Sequence, residues 1–337
     1  MVLAIALVLI GTFGFLDRAT VRTWYDQAMG RDYVGGGQGV ATLVIAKGET
    51  GEKIAQGLVD AGVVKSFDIA YRLMLSRNGN YYPGTYKLRS HMSAAAALDA
   101  LANPANLQVS TVTIQEGLRI GQVLAKLATA TSIPLANFEA AAADKVALKL
   151  PSNAPSAEGF LFPATYSFPA KSTAAQILKT MVDRCYEELN RYSVSANDAL
   201  KVLTLASIVQ KEARQSADFY KVSRVFTNRL KVNMALQSDA TVSYGSGGTT
   251  VTTTNAERSN ANGYNTYVHT GLPIGPISAP GSLAIDAALH PVAGPWLYFC
   301  AINLQTGETV FSTTVAEHEI AVAKFRAWMA ANPGWNG

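Results

Sequence analysis

One helical stretch limits what this chain can fold into more than any other: 203–212, LTLASIVQKE, an apolar run that ends in a carboxylate. Leu205, Ile208 and Val209 lie seven, four and three positions before Glu212, so the four share one face of a helix. Such a face has to be covered by a core, and the cover then extends over Glu212. Gln210 and Lys211 fall off that face, Gln210 nearly opposite. Burial disfavours the charged form of a carboxyl and raises its pKa toward the range where it both gives and takes a proton near neutral pH. On spacing alone, the commoner explanation is a Glu that pairs with an Arg or caps a neighbour, since structural ion pairs perturb pKa values too.

The chain can supply that core. Its 337 residues give room for two domains, and 49% hydrophobic against 15% charged residues is a globular balance. The net charge of +4 is small and scattered, with no basic run interleaved with aromatics. That gives no basis for a nucleic-acid partner and suits an acidic polymer. Residues 2–16, VLAIALVLIGTFGFL, are uncharged and apolar, slightly short of the roughly 20 residues that a bilayer span needs. They lack a basic n-region and a clear small-residue cleavage site, so a cleaved signal and a membrane anchor both stay open. Arg18 and Arg22 strain the positive-inside tendency if the remainder of the chain is external, with Asp17 and Asp26 beside them. Cys185 and Cys300 sit among apolar neighbours without metal-like spacing and read as buried thiols; an exported protein would be free to pair them. His91, His269, His290 and His318 are scattered and form no HExxH or equivalent, so no metal and no other cofactor is expected.

Segment by segment, the pattern is α+β. Residues 33–40, YVGGGQGV, read as a glycine-rich part of a linker covering 17–40. From Ala41 a strand, two helices (52–61 and 67–76) and a strand after the Pro83-Gly84 turn make a βααβ unit over 41–104, which resembles a LysM-like module; a plain structural spacer fits as well. A strand in STVTIQEG opens a larger domain, 105–337, with helices near 120–130, 135–145 and 172–192. The segment EGFLFPATYSF, 158–168, reads as strand-like. After Ala217-Asp218, a capping pair, a helix carries Val222, Val225, Phe226 and Leu230 on one stripe. Threonine-rich strand or loop material comes next, then a Gly/Pro loop at 271–281, a helix at 282–289 ending near His290, two strands, and a helix over 315–331. The expected architecture is the small LysM-like βααβ module followed by a larger mixed α+β domain with a mostly antiparallel sheet.

Several blocks then fall into a known order. ASIVQKEA, VFTNRL, LQSDATVSYG and YNTYVHTGLPIGPISAPG, with EGLRIGQV and EGFLFPATYSF before them and AALHPVAGPWLYFCA and VFSTTVAEHEIAV after, resemble the endolytic murein transglycosylase family (MltG, or YceG-like), over roughly residues 41 to 330. The resemblance implies a lytic transglycosylase acting on peptidoglycan glycan strands, with residues 1–16 as a single-pass membrane anchor, the catalytic domain on the extracytoplasmic side of the cell membrane, and contact with peptidoglycan synthases. Such an enzyme cleaves the β-1,4 bond between N-acetylmuramic acid and N-acetylglucosamine without water. The muramyl C6 hydroxyl attacks its own anomeric carbon, leaving a 1,6-anhydro end. One carboxyl can serve as acid and then base, unlike the paired carboxyls of ordinary glycosidases. The resemblance places that role at Glu212. Many relatives carry an acid at the position of Gln210 as well, so Glu212 is the one carboxyl on this helix available for it.

Other residues qualify as substrate-binding or supporting. Glu158 lies in an aromatic context and suits support over catalysis. Gln237, Ser238 and Asp239 form a polar turn whose amide and carboxylate suit hydroxyl and N-acetyl recognition, though Asp239 suits a helix cap equally. Tyr264, Asn265, Thr266 and Tyr267 combine flat apolar faces with polar tips, as sugar stacking requires. Pro273 lies in a rigid loop of the kind that positions binding groups, or in a long turn with no ligand role. Asn228 and Arg229 are placed to orient Glu212. Two rival readings remain: a non-catalytic wall-binding scaffold of the same fold, and a pyridoxal-phosphate enzyme suggested by an older family label, aminodeoxychorismate lyase. The second needs a Schiff-base lysine and a phosphate cradle; Lys211 lies off the Glu212 face and no Gly-rich loop precedes a helix. If one site unites Glu212, Gln237, Asp239, Asn265 and Tyr267, they line one groove, with loop 271–281 as a wall and Glu158 nearby.

Overall fold

The computed structural model describes residues 18–46, 48–77, 79, 81–248 and 253–333; the apolar run 2–16, expected to be an anchor, lies outside them. No described helix is long and apolar enough to cross a membrane. The chain divides into two units, one of residues up to Ser110 with Ser167–Ser172, the other of Thr111–Tyr166 with residues from Thr173 onward. The division falls later than residue 104 because β3 (Leu107–Thr113) begins within the sheet of the first unit.

That first unit holds α1 (Arg18–Ala28), β1 (Gly36–Ile45), α2 (Gly51–Asp60), α3 (Phe67–Arg77), β2 (Gly84–Met92) and α4 (Ala94–Ala102). The βααβ order is the one read from the sequence, but the span read as linker is not a linker. α1 fills its first half, and β1 starts at Gly36, pairing Gly36 with Met92 and Gln38 with Ser90 ahead of a bulge. Its glycines serve close approach: Gly37 has φ +70°, and a Cβ there would stand 2.4 Å from the Ser90 carbonyl oxygen. Beyond the bulge, Ala41, Leu43 and Ile45 point inward at the strand period of two and meet Leu58, Tyr86 and Leu98 in the core. Asp26 fixes α1 to α3 through Arg72 at 2.6 Å. β2 pairs antiparallel with β1 and with the start of β3, Thr85 opposite Gln108.

The second unit carries α5 (Ile120–Thr131), α6 (Leu135–Ala143), α7 (Ala174–Arg191), α8 (Ala196–Glu212), α9 (Phe219–Lys231), α10 (Asp239–Gly245), α11 (Asn255–Ser259), α12 (Ser282–Leu289), the antiparallel pair β5 (Tyr298–Asn303) and β6 (Glu308–Ser312), and α13 (Val315–Ala331). β4 (Thr165–Pro169) is all that is strand in the 158–168 segment; residues 158–162 turn instead, with Gly159 at φ +79°. α8 is the central helix, packed by α9, α10 and α12. Every residue from Leu203 to Val209 is buried, so the expected stripe is a helix covered all round over two turns. Its polar members stay satisfied inside: the Thr204 and Ser207 hydroxyls donate to the Leu200 and Thr204 carbonyls at 2.7 and 2.8 Å. Asp218 stands where α9 begins but makes no capping bond, and His290 closes α12 with Nδ1 2.8 Å from Asp286 Oδ1. Cys185 and Cys300 are both free thiols, and burial pushes Cys185 up to about 12.

Candidate active site

The last residue of α8 reaches a cleft of about 970 Å³ in the second unit, whose lining includes Glu158, Glu212, Gln237, Ser238, Asp239 and Tyr267. Glu212 is half-buried, open to the cleft on one side. Its Oε1 accepts the Ser238 hydroxyl at 2.5 Å, and its carboxylate also accepts the Ala240 backbone N–H. Ser238 is the N-cap of α10, yet its hydroxyl makes no bond to that helix. The Ser238 hydroxyl is turned to Glu212 instead, and the Ala240 N–H at the start of the helix also favours the ionised carboxylate. Burial is the largest influence on Glu212 and pushes its pKa up; the Ser238 bond pulls down, the Asp239 charge pushes up, and Ala240 and Arg214 pull down. The net result is a carboxyl raised above its ordinary range.

Ser238 is held by a network of its own. Its backbone N–H donates to Thr266 Oγ1 at 3.0 Å, and the Thr241 hydroxyl lies 2.8 Å from the same oxygen and 2.7 Å from the Ser238 carbonyl. The Gln237 backbone N–H donates to the Thr266 carbonyl at 3.0 Å, with Gln237 in the left-handed region at φ +52°. Its side chain accepts from the buried Arg229, whose guanidinium also donates to the Leu236 and Leu297 carbonyls at 2.8 and 2.6 Å. Asp239 is saturated: Oδ1 accepts from Thr253, Arg258 and Tyr267 at 2.6, 3.1 and 2.9 Å, and Oδ2 from Arg258 at 3.1 Å. Arg258 also stands over the Tyr267 ring at 5.1 Å.

Glu158 reaches the same cleft from the turn before β4. Both carboxylate oxygens accept the Ile120 N–H at the first residue of α5, at 3.1 and 3.0 Å, a favourable place for negative charge. Burial nevertheless outweighs that bond and the nearby Tyr244 and Arg119, and lifts Glu158 to about 7. Its bonds tie the first residue of α5 to the wall of the cleft. Loop 271–281 is held by α8: the Ser207 hydroxyl accepts the Ile277 N–H at 3.0 Å, and Gln210 Oε1 accepts the Gly281 N–H at 2.9 Å. The Gly117 and Ala279 N–H groups add bonds of 2.7 and 2.8 Å to the Ala279 and Leu118 carbonyls. Of that loop, Ile277 lines the cleft.

Five residues expected at the site do other work. Asn265 is fully buried, its amide N–H groups donating to the Glu257, Arg258 and Asn260 carbonyls and its oxygen accepting from Tyr267 N. At full burial it presents nothing to a sugar; it shapes the 257–267 turn that delivers Tyr267. Thr266 is buried beneath Ser238, and Tyr264 packs edge-on against Tyr244 at 4.7 Å behind the cleft wall. Pro273 is buried in its loop. Asn228 holds the Gly294 and Trp296 carbonyls at 3.0 and 2.9 Å rather than Glu212. Conversely, Arg119, Lys211, Arg214, Tyr244 and His318 line the cleft although their sequence context does not single them out for it. Lys211, one residue from Glu212, carries a side chain long enough to reach the cleft from an off-face position. Arg119 lies in EGLRIGQV, a block whose pattern stands out and whose charge does not. Among the described residues no group of three or more His, Cys, Asp or Glu side chains is arranged to hold a metal ion.

Residues 43–324 match the YceG-like family. The chain is 32% identical over 303 residues to an endolytic murein transglycosylase of Bacillus subtilis, covering 83% of each protein. It is 28% identical over 323 residues to the protein of the same description in Streptococcus pneumoniae, covering 84% of this chain and 58% of that one. The crystal structure of a YceG-like protein from Listeria monocytogenes superposes with a TM-score of 0.56 at 29% identity, over 84% of this chain and 99% of that one.

Proposed function

The chain belongs to the YceG-like family, and on that premise we propose that it is a lytic transglycosylase that cleaves peptidoglycan glycan strands, with Glu212 as its general acid and base. The observation that carries the assignment of the acid is the Glu212 carboxyl in the cleft, lifted by burial and bonded at 2.5 Å to a hydroxyl. A raised pKa favours the protonated carboxyl that the first step needs. The proton passes to the glycosidic oxygen as the bond from the muramyl anomeric carbon to that oxygen breaks. The resulting carboxylate then takes the proton of the muramyl C6 hydroxyl as that oxygen closes onto the anomeric carbon. Ser238 and the Ala240 N–H favour the ionised form that exists between the two steps.

A hydrolase would need a second free carboxylate to activate water. Glu158 is committed to the α5 N-terminus and Asp239 to Arg258, Tyr267 and Thr253, which supports the single-acid route. A membrane anchor at residues 1–16 and an extracytoplasmic catalytic unit complete the reading, and synthases of the same polymer are the natural partners of an enzyme that cuts nascent strands. The test is Glu212→Gln, incubated with purified sacculi. The amide is isosteric and cannot transfer the proton, so anhydro-ended products seen by mass spectrometry should fall by ~10²-fold or more. Substantial turnover in the variant would move the acid elsewhere; no product from the unaltered chain would favour a non-catalytic scaffold.

A further inference from the structure

The cleft carries more cations than its own structure uses. Arg119 donates to the Gly248 carbonyl at 2.6 Å and to Ser243, and stands over the Tyr244 ring. Arg229 is spent on backbone carbonyls and Arg258 on Asp239. Lys211 and Arg214 differ. Both line the cleft on either side of Glu212, and both are exposed. Lys211 Nζ has one contact, the Gly117 carbonyl at 3.5 Å. Arg214 makes no side-chain hydrogen bond or ion pair among the described residues. Neither side chain bonds the terminal carbonyls of α8, so complementing the helix end does not explain them. Nor do the acids of the cleft pair with them: Glu212 is bonded to the Ser238 hydroxyl, Asp239 is paired with Arg258, and Glu158 is bonded to Ile120. Arg119 lies close enough to Lys211 to disfavour its charge, and Glu212 favours it; Arg214 acts on Glu212 in turn, yet no carboxylate forms an ion pair with Lys211 or Arg214 among the described residues.

We propose that Lys211 and Arg214 form a carboxylate subsite beside the acid, one that holds an anionic group of the substrate while its glycosidic bond is cut. This rests on the reading of the chain as a peptidoglycan-cleaving enzyme. N-acetylated sugars are neutral, so the charge on such a strand sits on the muramyl side groups: the carboxylates of the attached peptide stem or, where the stem is absent, the lactyl carboxylate itself. An Arg fork and a Lys point charge together suit a carboxylate in a half-open cleft.

The experiment uses the full chain with soluble glycan oligomers in three forms: stem-bearing, stem-bearing with carboxyls blocked as amides, and stripped of stems to leave lactyl carboxylates. Binding is read by calorimetry in the Glu212→Gln background, which separates the subsite from cleavage, and cleavage is read in the otherwise unaltered chain. Blocking should weaken binding by roughly 10-fold or more, the scale of a charge-assisted hydrogen bond. In the Lys211→Gln/Arg214→Gln double variant, whose fold is checked by its melting curve, charged and blocked oligomers should bind alike. A preference for stem-bearing over stripped oligomers assigns the anion to the stem, a preference for stripped ones assigns it to the lactyl carboxylate, and equal binding shows that the subsite takes either. Indifference of the parent chain to blocking, or a discrimination that survives the double variant, overturns the proposal. Failure of the unaltered chain to cut any oligomer strikes the enzymatic reading instead and leaves the binding result to stand or fall alone.

Discussion

The Ser238 hydroxyl lies 2.5 Å from Glu212 Oε1, so the residue that opens α10 is bonded to the residue that closes α8. The exchange of partners is reciprocal. Ser238 gives up capping its own helix, and the Ala240 N–H of that helix favours the ionised Glu212 carboxylate. A buried carboxyl is thereby given two donors that favour its ionised form, against a burial that favours the neutral one. The balance sets when Glu212 holds its proton.

Ser238→Ala removes one donor and should raise the Glu212 pKa further. An acid that must be protonated loses activity as pH rises through its pKa, so the basic limb of kcat/KM should move to higher pH in the variant. The maximal rate should fall by roughly 10-fold or more, since hydrogen bonds to charged groups are worth ~1.5–3 kcal/mol. A pH–rate profile on soluble glycan checks both; a limb that stays in place would separate Ser238 from the acid.

Asp239→Asn should move the same limb the other way. The Asp239 charge pushes the Glu212 pKa up, and its removal lowers it, so the basic limb moves to lower pH. The two single variants thus make a pair of opposite sign on one group. Shifts of the same sign would mean that general loss of structure, and not the local charge balance, governs the profile.

How much of this is legible in the sequence depends on the range of the interaction. α12 and α13 are legible to the residue, α13 because its Thr314–Glu317 capping box is local, and α8 is legible because seven consecutive apolar or small residues leave no other choice. α10 is not: seven residues with Thr241 and Val242 have weak helical propensity, and its N-cap Ser238 spends its hydroxyl on Glu212, 26 positions away. Gly36–Val40 read as linker because glycine signals flexibility in isolation; only the partner strand shows that Gly37 is needed for contact with Ser90. Asn265 fits sugar recognition by chemistry, and nothing in its neighbours announces that three carbonyls of its own turn consume it.

Glu158 predicts a pH dependence of stability. Its pKa rises on folding from 4.5 to about 7, so the folded chain binds the proton more tightly than the unfolded one. The stabilisation is fully present below pH 4.5 and is lost as pH rises through 7; at ~1.4 kcal/mol per pH unit it amounts to roughly 3 kcal/mol. Glu158→Gln keeps an acceptor for the Ile120 N–H without titrating. Relative to the parent, its melting temperature should therefore be higher at pH 8 than at pH 5. An offset that is the same at both pH values would mean that Glu158 does not titrate with folding.

Gly159→Ala tests whether the turn beside Glu158 positions the cleft. Gly159 has φ +79°, and a Cβ there would stand 2.4 and 2.6 Å from Pro276 Cβ and Cγ. An L side chain in the left-handed region costs ~1–2 kcal/mol, and overpacking against a rigid ring adds ~1–3. Pro276 cannot yield freely, because the next residue, Ile277, donates its N–H to Ser207 in the buried centre of α8 and lines the cleft. The strain should therefore travel two ways: to the Ile120 cap held by Glu158 and to the loop wall at Ile277. The variant should melt roughly 5 °C lower or more, and the Ile277 amide should exchange hydrogen faster than in the parent. A variant with unchanged melting and unchanged exchange would show that the turn gives way without moving the wall, and that the 158–162 segment is packing and not positioning.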